Sequence, residues 1–197
     1  MIFLLETRSP FALFNYISLS CADAIICYFC NKLNFGSPFI MKITLLQVGK
    51  TTDSSISEVA DLYSKRIKKY TAFEILTIAD IRNTKNMPLA EQKKKEGEKI
   101  LLALASDDYV VLLDERGKEL RTIELSKHLG KVFMLPKKRI VFVVGGPWGF
   151  SDEVYTRADF KLSLSKMTFP HQLVRLLFLE QLYRVFTILK GEPYHHE

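Results

Sequence analysis

Three segments of the sequence place glycine, charged or hydroxyl-bearing residues directly after an apolar run. They are 113–117 (LDERG), 145–149 (GGPWG) and 164–169 (LSKMTF). The apolar runs are typical of buried strands, and open α/β sheets bind their ligands beyond the carboxyl ends of such strands. If the strands are parallel, we expect the three segments to meet at one edge of the sheet and to form a ligand site.

These segments favour binding of a small ligand that carries an adenine-like edge or hydroxyl groups. Gly145 and Gly146 have no side chain, so a ligand can approach their backbone N–H and C=O groups closely. In the simpler interpretation GGPWG is only a turn, and the apolar residues of the third segment are ordinary core residues. The apolar walls of the predicted site come from Leu113, Leu164, Met167 and Phe169.

Several common cofactor and metal motifs are absent from the sequence. There is no G-x-x-x-x-G-K-[ST] phosphate loop, no G-x-G-x-x-G after a strand and no G-x-S-x-G elbow. Cys27 and Cys30 form a lone C-x-x-C in apolar surroundings, without the paired spacing of a zinc site. We therefore expect no metal, and the remaining options are another kind of cofactor or simple binding.

The elements that must position these segments alternate between strand and helix after residue 41. Several strands are continuous apolar runs, which favours a mostly parallel sheet with helices on both faces, an α/β fold. Strands are predicted over 43–48, 73–79, 109–113, 140–144 and 160–164, and residues 114–118 as a polar turn around Gly117. Helices are predicted over 56–70, 89–105, 122–135, from 151 and from 170.

Residues 160–183 form the central unit of this pattern, a strand followed by a tight loop and a helix. Pro170 suits the first position of that helix, where a missing N–H costs no hydrogen bond. The helix is apolar around most of its circumference. It must therefore be covered on more than one side, by the sheet or by a second subunit.

Composition divides the chain at Met41. Residues 1–40 carry four charged side chains that sum to zero, so the formal net charge of +6 belongs to residues 41–197. We interpret residues 41–197 as one domain that starts at Met41, and residues 1–40 as an extension with little fixed structure or a mis-assigned start. A membrane anchor in that segment is the less favoured alternative, since serines, Asn15 and Asp23 interrupt its apolar residues. With all three cysteines before Met41, residues 41–197 are expected to be cytoplasmic.

The segments VVLLDERGK (110–118), FVVGGPWG (142–149), LSLSKMTFPHQLVRLLFLEQLYR (162–184) and GEPYHHE (191–197) carry a family resemblance. Together they resemble the ribosomal RNA large-subunit methyltransferase H family, a minimal member of the SPOUT class. The resemblance covers residues 41–197 and excludes residues 1–40. SKMTFPHQLVR and PYHHE are specific to the family, whereas GGPWG alone is not.

The resemblance implies a fold, a cofactor and a substrate. It implies a trefoil knot in the C-terminal half, a homodimer, and S-adenosylmethionine as methyl donor. The implied substrate is 23S rRNA in the ribosome, with methyl transfer to N3 of a pseudouridine. By position, the implied cofactor-binding residues are Leu113, Gly145, Leu164, Ser165, Lys166, Met167, Thr168 and Phe169.

Candidates for the chemical step come from the last helix and the tail. His195 is predicted to contact the target nucleotide and Tyr194 to stack on a base, the alternative being a frayed terminus. Arg175 lies four residues after His171, on the same helix face, and is predicted to hold a phosphate or the base. The alternative for Arg175 is an ion pair with Glu180 or with a carboxylate across the dimer. His171 at the helix start is as well suited to capping the loop as to catalysis.

Two other functions stay open from the sequence. One is a knotted methyltransferase that acts on tRNA. The other is a non-catalytic, ribosome-associated RNA-binding protein that uses its basic faces on phosphate, and it would show steep salt dependence and no need for a cofactor.

Overall fold

The computed structural model describes residues 41–81 and 87–194. Within these ranges five strands form one sheet in the order β2-β1-β4-β3-β5, and every neighbouring pair is parallel. This confirms the predicted parallel sheet. The strands are β1 (Lys42–Val48), β2 (Phe73–Ile78), β3 (Tyr109–Glu119), β4 (Arg139–Val144) and β5 (Phe160–Ser163).

Helices connect the strands and cover the sheet, as predicted. Asp53 caps the first helix, since its Oδ1 accepts a hydrogen bond of 3.1 Å from the N–H of Ile56. The last helix begins at His171, so Pro170 directly precedes it rather than occupying its first turn. The helices are α1 (Ser54–Ile67), α2 (Leu89–Leu102), α3 (Thr122–Val132), α4 (Asp152–Arg157) and α5 (His171–Leu189).

Alternate residues of the central strands enter two separate cores, one on each face of the sheet. On one face Ile43, Phe142 and their neighbours pack against α1, α3 and α5. On the other face Leu46 and Val143 pack with residues of α2 and α4. Because both faces are covered, both sets of side chains must be apolar, which explains the continuous apolar runs in the sequence.

Strand β3 is longer than the sequence pattern predicted. Residues 114–118 were expected as a polar turn, but β3 continues to Glu119. Both Leu113 and Lys118 are in register with Leu162 of β5, so the chain leaves the ladder at Asp114 and rejoins it four residues later. A Cβ on Gly117 would lie 2.6 Å from the backbone carbon of Leu162, so this bulge needs glycine where it returns to β5. The bulge presents residues 114–116 at the carboxyl edge of the sheet.

In the described ranges, no helix combines the length and the apolar character needed to cross a membrane. The predictions about residues 1–40 fall outside the described residues.

Candidate active site

A cavity of about 520 Å³ lies at the carboxyl edge of the sheet. Its wall is built from the ends of β3, β4 and β5, the segments that follow them, and the first turn of α5. The sequence pattern predicted a ligand site at this edge, because the carboxyl ends of parallel strands meet there. Its volume is within the range typical of small-molecule and cofactor sites.

Seven of the eight residues predicted to bind the cofactor line this one cavity. Lys166 is not among the lining residues: its side chain is 86% exposed, and its Nζ lies 3.8 Å from a carboxylate oxygen of Glu119. The residues brought together are Leu113, Gly145, Leu164, Ser165, Met167, Thr168 and Phe169.

The loop after β5 is held by its own serines. The hydroxyl of Ser163 donates to the carbonyl oxygen of Ser165 at 3.0 Å, and the N–H of Met167 donates to Oγ of Ser165 at 2.9 Å. These short-range hydrogen bonds fix the conformation of the loop at the cavity, although the loop has no buried core of its own. Met167 is 70% exposed at the cavity rim. The interpretation of Met167 as an ordinary core residue is therefore wrong.

The GGPWG segment forms the opposite wall with backbone rather than side chains. A Cβ on Gly145 would lie 2.9 Å from the ring of Phe150, and one on Gly146 would lie 2.6 Å from Oε2 of Glu96. A Cβ at either position would therefore meet a neighbouring side chain behind the wall, and glycine avoids this contact. Trp148 lies half-exposed at the rim.

Arg175 lies inside the chain rather than at its surface. The side chain is 2% exposed, and its guanidinium donates to the carbonyl oxygen of Val48 at 2.5 Å and to Oγ1 of Thr51 at 2.9 Å. A contact with an RNA phosphate or base needs an accessible guanidinium, which Arg175 does not present within one chain, and its role toward RNA stays a prediction. Within one chain Glu180 does not pair with Arg175, because its carboxylate accepts hydrogen bonds from Arg184. An ion pair with a carboxylate across the dimer stays a prediction. Within the chain, Arg175 ties α5 to the carboxyl end of β1.

Tyr194 lies at the surface beside the second half of α5. Its ring meets that of Tyr183 edge-on at 4.9 Å, and the guanidinium of Arg184 lies 5.2 Å from its ring centre. The cavity wall does not include Tyr194, so one chain does not join the predicted base-stacking residue to the predicted cofactor residues. His195 falls outside the described residues.

His171 opens α5 and lines the cavity. Burial lowers the pKa of His171, and the positive charge of Arg175 lowers it further, against a smaller opposing effect of Asp80. A histidine whose pKa lies below its ordinary value of about 6.5 is neutral at pH 7. His171 is thus able to accept or donate a hydrogen bond at the cavity wall without adding charge.

Glu96 is an acidic residue that the sequence pattern did not single out. It is 5% exposed behind the GGPWG wall, and its carboxylate accepts one hydrogen bond, of 3.3 Å, from the Gln92 amide. Burial raises the pKa of Glu96, and the hydrogen bond from Gln92 does not offset that effect. The carboxyl group of Glu96 therefore binds its proton more tightly in the folded protein than in the unfolded chain.

Replacing Glu96 by Gln is expected to stabilise the protein at pH 7.5 by on the order of 1 kcal/mol, because the neutral amide removes the cost of burying a carboxylate charge. A raised carboxyl pKa means that folding is favoured most below the ordinary glutamate pKa, and that stability falls as the pH rises through the raised value. The gain should therefore disappear near pH 4. Calorimetry measures this gain between pH 4 and pH 7.5. The variants compared are Glu96→Gln and Glu98→Gln, the second being a control at an exposed position. A gain of equal size at both pH values would contradict the explanation.

The described residues contain no group of three or more His, Cys, Asp or Glu side chains arranged to hold a metal ion. The polar side chains in the cavity wall are hydroxyls, carboxylates, the imidazole of His171 and the cationic groups of Lys93 and Arg116. A parallel α/β sheet with a glycine-walled cavity at its carboxyl edge has the usual location of a small-ligand site in this class of fold.

Comparison with known families agrees with this architecture. A sequence model described as a predicted SPOUT methyltransferase matches residues 41–195. The protein is thus of the SPOUT methyltransferase class, whose members use S-adenosylmethionine as methyl donor.

Similar proteins with curated names identify one family within the SPOUT methyltransferase class. A protein of Parabacteroides distasonis is 54% identical over 157 residues, which are 80% of this chain and 100% of the relative. Proteins of Christiangramia forsetii (52% over 156 residues, 79% of this chain and 99% of the relative) and Bacteroides thetaiotaomicron (48% over 157 residues, 80% and 100%) are similarly close. All three are named ribosomal RNA large subunit methyltransferase H. The chain belongs to this family.

The cavity residues fit an S-adenosylmethionine molecule. Leu113, Leu162 and Leu164 offer apolar walls to a planar base, and Gly145 and Gly146 contribute backbone without side chains to the same wall. Residues 113, 145 and 164–169 would hold the cofactor, with Lys166 on the same loop but outside the cavity wall.

Proposed function

We propose that this protein transfers a methyl group to N3 of a pseudouridine in 23S rRNA within the assembled ribosome, in the cytoplasm. The observation that carries the proposal is the meeting of Leu113, Gly145 and the 164–169 loop at one cavity. Relatives of about 50% identity that are named rRNA methyltransferases support the choice of RNA.

The bound cofactor supplies an already activated methyl group, so the work left to the protein is positioning and proton removal. Holding two reactants in line lowers the barrier by several kcal/mol. The acceptor nitrogen must lose its proton, and a side chain with a pKa near the working pH suits that step. We assign contact with the target nucleotide to His195 and base stacking to Tyr194.

We further propose that the protein acts as a homodimer. Within one chain Tyr194 lies outside the cavity wall. In a dimer, a second copy would bring the base that Tyr194 stacks on to the cofactor site. Leu173, Leu176 and Leu177 of α5 are only half-buried within one chain, which is the expected condition of apolar residues that a partner covers. Light scattering should give twice the mass of one chain, and a mass of one chain would exclude the dimer.

The proposal extends to the knot and to the domain boundary. In the family to which the chain belongs, a trefoil knot is expected where the loops after β4 and β5 meet at the cavity. A crystal structure with an unthreaded C-terminus would exclude the knot.

Residues 41–197 are proposed as the methyltransferase domain, and residues 1–40 as a segment outside it, because the family match begins at residue 41. Mass spectrometry of the protein from its native source would show whether that segment is present.

Two measurements test the proposed function together. Isothermal titration should detect S-adenosylmethionine binding, and the gene should restore methylated pseudouridine in 23S rRNA of a strain that lacks its own enzyme. Binding without rRNA methylation but with a modified tRNA, mapped by primer extension, would favour the tRNA enzyme. No cofactor binding, together with salt-sensitive RNA binding, would leave only the non-catalytic alternative.

A further inference from the structure

Asp114 and Tyr155 form a polar pair in the cavity wall that the proposed function has not used. Asp114 is the first residue of the β3 bulge, and Tyr155 lies on α4. The phenol of Tyr155 donates a hydrogen bond to Oδ2 of Asp114, and the N–H of Arg116 donates to Oδ1 at 2.7 Å. Both residues line the cavity, and both are partly buried.

The pair is fixed in place from several sides. The ring of Tyr155 meets that of Phe150 edge-on at 5.8 Å, and Nζ of Lys161 lies 5.5 Å from its ring centre. Phe150 in turn lies directly behind Gly145. The phenol is therefore held by the same residues that shape the glycine wall, and the carboxylate is pre-oriented before any ligand binds.

The carboxylate keeps acceptor capacity that the protein does not use. Two carboxylate oxygens offer about four acceptor positions, and the tyrosine and the Arg116 N–H occupy two of them. Burial and the hydrogen bond to Asp114 raise the pKa of Tyr155 to about 12, so the phenol stays a donor at neutral pH. The free acceptor positions of Asp114 thus remain available on the cavity side.

We infer that Asp114, held in orientation by Tyr155, accepts hydrogen bonds from the ribose hydroxyls of the adenosyl ligand. A vicinal diol offers two O–H donors, which match the acceptors of one carboxylate. Asp114 directly follows Leu113, so the acceptor lies next to the apolar wall that suits the base to which the ribose is joined. Acidic residues at strand ends bind ribose hydroxyls in other α/β sheets. The inference rests on the proposed use of this cavity for S-adenosylmethionine.

The other ligand group able to bind Asp114 is the ammonium of the methionine part, and the choice of probes separates the two. S-adenosylhomocysteine contains both the diol and the ammonium, whereas 5′-methylthioadenosine contains the diol alone. Isothermal titration of both probes into the full-length protein, Asp114→Asn, Tyr155→Phe and Glu153→Gln gives dissociation constants independent of catalysis. Glu153→Gln is the matched control, because Glu153 lies on α4 with Tyr155 but is exposed outside the cavity wall.

Asp114→Asn should weaken both probes by the same factor, about 10- to 100-fold, as expected for hydrogen bonds to a charged acceptor. Tyr155→Phe keeps the acceptor and loses only its orientation, so we expect a smaller loss of about 3-fold. Glu153→Gln should bind both probes like the wild type. Thermal melting of each variant establishes that it is folded.

Three outcomes would overturn the assignment. Weaker binding of S-adenosylhomocysteine alone would assign Asp114 to the ammonium, and unchanged binding of both probes would remove it from ligand contact. A wild type that binds neither probe would refute the proposed function as well. If Asp114→Asn does not fold, the 2′-deoxy and 3′-deoxy forms of 5′-methylthioadenosine decide the question on the wild type, where equal affinity for all forms excludes diol recognition.

Discussion

Replacing Asp108 by Ala is expected to lower the free energy of unfolding by about 3–5 kcal/mol, because it leaves a partly buried guanidinium without its partner. Asp108 is 2% exposed at the amino-terminal edge of the sheet. Its carboxylate accepts hydrogen bonds from Nε of Arg139 at 2.8 Å and from Nη2 at 2.5 Å. It also accepts one of 2.7 Å from the N–H of Ala105.

A second arginine extends this network to the edge strand. Arg157 donates to the carbonyl oxygens of Ala105 and Asp108, at 2.8 and 3.0 Å. Asp159, just before β5, accepts the N–H of Val110 at 2.7 Å. The bonds around Asp108 thus join the starts of β3, β4 and β5, the three strands whose other ends form the cavity. Loss of the carboxylate should therefore remove the bonds that join the starts of β3 and β4, and leave the backbone bonds of Arg157 in place.

The neighbouring residue provides a matched control. Asp107 lies 3.5 Å from Nζ of Lys138, and both side chains are exposed. Asp107→Ala should cost less than about 1 kcal/mol, as is usual for a surface ion pair. Urea unfolding followed by circular dichroism measures both variants. Equal losses for Asp107→Ala and Asp108→Ala would show that the buried network does not stabilise the sheet.

The second large effect is expected in catalysis. Replacing His195 by Ala should reduce the rate of methyl transfer about 100-fold or more, the usual range for removing a group that assists proton transfer. The dissociation constant for S-adenosylmethionine should stay within about 2-fold of the wild type, because a group that acts on the acceptor base makes no contact with the cofactor. Single-turnover methylation of ribosomes and isothermal titration give the two numbers.

His196 is the natural comparison for this experiment. It is the same kind of residue, one position further along the tail, and no role is assigned to it. His196→Ala is expected to retain most of the activity. Parallel losses of rate and cofactor affinity in His195→Ala would show that the residue supports binding in general, which would refute its assignment to the nucleotide.

The amino-acid sequence was sufficient to predict the parallel sheet and its two helical layers. Runs such as 140–144 (IVFVV) have no polar face, and a strand of that kind is stable only when both of its faces are covered. Glycine and apolar residues that directly follow those runs predicted the cavity wall for the same reason, since parallel strands end at one edge. These features can be predicted from local sequence patterns, because the residues of each single strand show which of its faces are buried.

Contacts between distant parts of the chain could not be predicted from such local patterns. LDERGK has the composition of a turn, but pairing with β5 makes it a bulge within a strand. Arg175 shares a helix face with His171, as its spacing indicates, but that face packs on the end of β1 and buries the guanidinium. Asp114 meets Tyr155 across 41 residues of chain. Spacing along one helix or strand specifies which side chains share a face, whereas the packing of the elements determines whether that face meets solvent, ligand or core.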